Sequence, residues 1–216
     1  MAQTLLAVWN IALSSVGERS LSSTADSVES RRILNEVWDR GKGAISYLLE
    51  QGVWSFATTR AAPTAATSTA AYGFAYSFAL PTDFVRMVDI STDTDNKNPH
   101  THYEVEGARL YSASSLIYMR YVSSSTDFGG NLANWPDSFA LYGGHWLGTQ
   151  IAPRLTNDID MTILDKRAND MLVSARLKDM TRTKKLWPPL APNDLDHRRL
   201  DYAIELLGMQ PKREQG

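Results

Sequence analysis

With four histidines and no cysteine in 216 residues, the covalent chemistry open to this chain is narrow. Thiolate nucleophiles, thiolate metal ligands and disulfide frameworks are excluded. A serine nucleophile needs a base beside it, and that base has to be His100, His102, His145 or His197. His100 and His102 stand two apart and would share one side of a strand, which suits a common metal. Their third ligand would have to be Asp93, Asp95 or Glu104, and none of these has a recognised ligand spacing. The same three acids fall at the first, third and twelfth positions of a calcium loop. That loop needs an oxygen at its fifth position and glycine at its sixth, where Lys97 and Asn98 stand, so Asp93 to His102 reads as a solvated loop. Asp127-Phe128-Gly129 has the letters of the kinase magnesium motif, but no Gly-rich phosphate loop, strand lysine or His-Arg-Asp segment accompanies it. His145 beside Trp146 in a Gly-rich helix reads as a packed, hydrogen-bonded residue. His197 beside Arg198 and Arg199 has no Ser or Asp partner that spacing can identify. The expectation is a protein without catalytic residues, metal or cofactor. A hydrolase with paired carboxylates is the rival, since such acids converge only in the fold.

Binding chemistry is more legible. Tyr72, Phe74, Tyr76, Phe78 and Leu80 alternate with small residues, as in a strand with one aromatic face. A single-stranded nucleic-acid platform would interleave cations, but the first one after this run is Arg86. A sheet core or a subunit interface is the better account. Lys and Arg number 22 against 24 Asp and Glu, a formal charge of -2, which argues against tight phosphate neutralisation. The charge is uneven: residues 176 to 216 hold nine Lys and Arg against six Asp and Glu, so the end is basic relative to the body. The 43% hydrophobic content and six Trp imply a real core. No run approaches the roughly 18 apolar residues of a membrane span, and no basic leader opens the chain, so a protein made in the cytoplasm is expected.

Those residues have to be positioned by elements of two kinds. Leu5, Val8, Trp9, Ala12, Leu13 and Val16 predict a first helix over 3 to 16, stopped at Gly17. Asp26 with Glu29 has capping-box spacing, and Ile33, Leu34, Val37, Trp38, Ile45, Leu48 and Leu49 predict a second helix weakened at Gly41 and Gly43. Ala61 to Ala71 reads as a flexible loop. Short strands are predicted between about 72 and 122, with Glu106-Gly107 as a tight turn. A third helix follows Pro136, with Gly143, Gly144 and Gly148 suited to close helix contact. A fourth, from about Asp158 to Met180, has Leu164, Ala168, Met171, Leu172 and Ala175 inside. Trp187 to Pro192 must run extended, with a short helix after it. The predicted fold class is α+β: a bundle of about four helices from 1–60 and 134–180, an inserted antiparallel β domain over 72–122, and an arm over 181–216.

Several segments in order carry a resemblance. They are the early helix ending in Gly17-Glu18, Arg31-Arg32-Ile33-Leu34-Asn35, Gly52, and Trp54-Ser55-Phe56-Ala57 leading to Arg60. Leu80-Pro81-Thr82-Asp83-Phe84-Val85-Arg86, Tyr103-Glu104-Val105-Glu106-Gly107 and Met119-Arg120-Tyr121 complete the set. Across residues 5 to 180 the chain resembles the tail tubular protein A family, the head-to-tail adaptor (gateway) proteins of short-tailed bacteriophages. It departs at Arg19 and Ser20, where prolines are common after the Gly-Glu pair. The resemblance implies a structural virion protein at the head-tail interface, a twelve-subunit ring between the portal protein and the tail tube, nozzle or next tail component. Genomic double-stranded DNA would pass through it without sequence specificity, and no membrane is involved. The arm would grip the portal. Trp187 and Leu190 are its expected apolar anchors, Lys184, Lys185, Arg198 and Arg199 its polar contacts, and Tyr202 lies on its short helix. Asp93, Asp95, Lys97, His100 and His102 are expected to face the tail or a neighbouring subunit. Another neck or tail-completion (stopper) protein is the nearest alternative.

Overall fold

The computed structural model describes residues 2–40, 43–65, 73–156 and 160–182. The helix α1 (Leu5–Ser15) begins with the Thr4 hydroxyl accepting from Ala7 N. It ends in a Schellman turn: Glu18 N–H donates to Leu13 O at 2.9 Å and Gly17 N–H to Ser14 O at 3.3 Å, with Gly17 at φ +75°. The predicted second helix is two helices, α2 (Glu29–Trp38) and α3 (Gly43–Glu50). Gly43 at φ +81° is the reason, since left-handed backbone interrupts a right-handed helix. The capping box also does not form. Val28 occupies the N-cap without a side-chain bond. Asp26 instead accepts from Ser22 N at 2.8 Å and Ser23 N at 3.1 Å, and these amides hold its carboxyl below the usual range. Glu29 turns to Arg32.

The helices α4 (Asp137–Leu155) and α5 (Met161–Arg182) pack on each other, and α4 also lies against α1 and α2. The predicted small-residue face meets α1: a Cβ on Gly144 would stand 2.4 Å from Ile11 Cγ2, and one on Gly148 would stand 2.1 Å from Ser15 Oγ. Trp9, Leu13, Ile33, Leu34, Leu48, Leu49, Trp54 and Phe139 are the large side chains of this core. Trp54, Trp135 and Tyr142 all make edge-on contacts with Phe139. Leu164, Ala168 and Ala175 of α5 are buried as predicted, while Met171 and Leu172 are half-buried against the core.

Among the described residues, six short strands make two three-stranded antiparallel sheets. One has the order β1-β6-β3, from Thr58–Ala61, Tyr118–Ser123 and Phe84–Ser91. The other has the order β2-β5-β4, from Tyr76–Ala79, Arg109–Ser112 and Tyr103–Glu106. The molecule is therefore α+β, with five helices among the described residues. The strand β1 comes from before the Ala-rich segment, earlier than the sequence predicted, because its partner β6 is far downstream. The chain after β1 bridges to β2 at Ala65 and Phe78, and the chain leading into β4 lies along β3 through Ser91 and Pro99. The sheets are thus stitched at both sides around one core of Phe78, Ile90, Leu110, Ile117, Met119 and Tyr121. Val122, on the other face of β6, belongs to the helical core, with Val85 and Val88 packed nearby. The β unit rests on the bundle through that end of its first sheet.

Candidate functional site

The polar loop after β3 is built around Asp93. Its carboxylate accepts from Ser91 Oγ at 2.7 Å, Lys97 N at 2.9 Å, Asn98 N at 3.0 Å and Asn98 Nδ2 at 2.8 Å. The Ser91 hydroxyl first, then the loop amides, hold its carboxyl below the ordinary aspartate range. Asp93 therefore organises the loop, while Asp95 and Lys97 form an exposed ion pair at 3.0 Å on its rim. Asn96, at φ 55°, makes the turn between them. His100 and His102 diverge: His100 Nε2 lies 2.9 Å from Ser112 Oγ, whereas the exposed His102 ring sits 5.1 Å from that of Phe74. All five expected contact residues lie on the segment between β3 and β4, with Asp95, Lys97 and His102 open to solvent.

The Ser112–His100 pair has hydroxyl-to-imidazole geometry, so a nucleophilic reading has to be weighed. Ser112 has 0% exposure, and its Oγ also accepts from Ser114 N at 3.1 Å. A buried hydroxyl held at both ends latches the loop onto β5 and presents nothing to a substrate. Among the described residues no group of three or more His, Cys, Asp or Glu converges as a metal site. Gly129, of the kinase-like letters, is required for packing, because a Cβ there would meet Ser123 O and Leu49 Cδ1 at 2.6 Å. Asp83 ties the entry of β3 to the exit of β6, accepting from the Ser123 and Tyr121 hydroxyls. Burial first, and then Asp83, push the Tyr121 phenol up to about 12.

Sequence reasoning missed a second feature, the open end of the first sheet's outer face. Arg60, Arg120 and Asp89 lie in one row across β1, β6 and β3, and Arg120 pairs with Asp89. A cavity of about 260 Å³ opens over this row, walled by Ala61, Ala62, Tyr118, Met119 and the loop at Asp93, Thr94 and Asn96. No local signal could have found it, because the three charges come from strands widely separated in the chain. Trp187, Leu190, Lys184, Lys185, Arg198, Arg199, Tyr202 and His197 lie outside the described residues. No protein-family model and no curated protein sequence matches the chain.

Proposed function

We propose that this chain is a structural, non-enzymatic subunit of a phage head-to-tail adaptor, forming a ring between portal and tail through which the genome passes. What supports the reading is one observation above all: a bundle built from segments on both sides of a β unit, joined where the family-like residues lie. Trp54 and Ala57 are buried, the strands that leave and re-enter the bundle, β1 and β6, pair with each other, and Asp83 fastens the start of β3 to the end of β6. The β loop is then aimed at the next tail component or neighbour, and the basic arm at the portal. A near-neutral to acidic body suits a conduit in which phosphate-binding residues would retard sliding DNA.

The test is co-sedimentation of purified protein with DNA-filled, tail-less heads. The full chain is expected to bind. A chain lacking 183–216 is expected to keep its helical body and lose the heads, and Trp187→Ala to weaken binding by about 2 kcal/mol as a central anchor. If the truncated protein binds heads as well as the full chain, the arm is not the grip. Hydrolysis of peptidoglycan by pure protein, abolished by one carboxylate substitution, would overturn the non-enzymatic part.

A further inference from the structure

Like charges directly opposite each other on neighbouring strands repel. Arg60 and Arg120 are nevertheless cross-strand partners on β1 and β6, with Asp89 the next partner on β3. The row holds one carboxylate for two guanidiniums: Asp89 pairs with Arg120 alone, and Arg60 has no ion-pair or hydrogen-bond partner among the described residues. Arg120 Nε is itself buried without an acceptor. Asp93 lines the same cavity, but its oxygens are taken by Ser91, Lys97 and Asn98. The row thus lacks one negative charge, and the space over it, about 260 Å³, has room for a carboxylate side chain.

The second sheet carries the complement. The strand β4 is terminal in its sheet, and Glu104 and Glu106, two apart, share one side of it. Both are exposed, and neither takes part in any ion pair among the described residues. The acidic strand and the basic cavity do not meet within one chain.

The geometry points to the Arg60–Arg120 cavity as a carboxylate receptor whose occupant is the acidic β4 strand of a second copy of this chain. Its closure into a ring rests on the adaptor reading above, while its chemistry rests on the charges alone. The contact joins two different surfaces, so each subunit offers one receptor and one strand, and association propagates head to tail. Arg60 has the planar fork that pairs with a carboxylate in two parallel hydrogen bonds.

Charge exchange tests it on the full chain by sedimentation velocity over a concentration series. Wild type self-associates, and the concentration for half-association rises with salt. Arg60→Glu alone, and Glu104→Arg/Glu106→Arg alone, each raise that concentration at least about tenfold, because reversal sets like charges against each other. An equimolar mixture of the two variants restores association, since each then supplies the charge that the other requires. Arg60→Ala, which adds no carboxylate beside Arg120, weakens association less than Arg60→Glu. Unchanged association in both reversed variants, no recovery in the mixture, or a wild type that stays monomeric overturns the proposal. So does saturable binding of phosphate or citrate that Arg60→Ala abolishes while association is untouched, for the occupant would then be a small anion. Head binding in the co-sedimentation assay reports on the adaptor reading separately.

Discussion

Phe74 and Phe78 belong to one alternating aromatic run, yet the fold separates their fates. Phe78 has 0% exposure between the sheets, while Phe74 is half-buried beside His102. Phe78→Ala is expected to cost about 3 to 5 kcal/mol, as for a large side chain removed from a closed core. Phe74→Ala is expected to cost well under half as much, and urea midpoints at a common m-value would rank the two. His145 behaves differently from a surface histidine. Its Nδ1 is buried without a partner, and desolvation, with Arg167 adding repulsion, depresses its pKa below the ordinary value. The unfolded chain then binds the proton more readily than the native one. This contribution to stability is complete above the unfolded histidine value of about 6.5, and is lost as pH falls through the lower native value. Acidification from neutral pH should therefore lower the melting temperature more in wild type than in His145→Gln. Equal losses would assign the acid sensitivity elsewhere.

At the level of elements, the α1–α4 contact depends on missing side chains, and the two glycines responsible are not equivalent. A Cβ on Gly144 would meet Ile11 Cβ at 2.6 Å and Val8 O at 3.2 Å, atoms that can move only with the helix. On Gly148 it would meet mainly the Ser15 hydroxyl, which is already turned back to Ala12 O at 2.6 Å. Gly144→Ala is thus expected to destabilise by about 1 to 3 kcal/mol through overpacking. Gly148→Ala should cost less, and Ser15→Ala should relieve much of that cost in the double variant. A double-mutant cycle on thermal unfolding measures the coupling directly. Additive losses would mean that the helices part rather than clash.

For the whole molecule, the described residues form two cores: one lies among the five helices and the other between the two sheets. Removing 183–216 is expected to leave the far-ultraviolet signature of a helical body and the unfolding midpoint unchanged. A broadened or lowered transition would show that the end packs on the body. The helix α5 runs on to Arg182, slightly beyond the predicted start of the arm at 181, so the truncation respects the last helical turn.

The sequence by itself determined the mixed α+β class, the α1 stop at Gly17, the Gly107 turn, the glycine face of α4 and the buried face of α5. Each of these is written in local chemistry: a positive φ, a missing Cβ or a helical period. The weak point of the second helix at Gly43 was likewise legible, though not that the helix divides there fully; only the tertiary structure decided that Thr58–Ala61 becomes a strand. Thr-Thr-Arg-Ala has no alternation to announce it; pairing with β6, a partner supplied some sixty residues later, makes it a strand. The Asp93 loop was legible as polar, but its inward carboxylate and the divergence of His100 from His102 depend on Ser91 and Ser112 arriving from the sheets. The row of Arg60, Arg120 and Asp89 was illegible for the same reason. Cross-strand neighbours are adjacent in space through register alone, and register is set by long-range pairing rather than by any spacing along the chain.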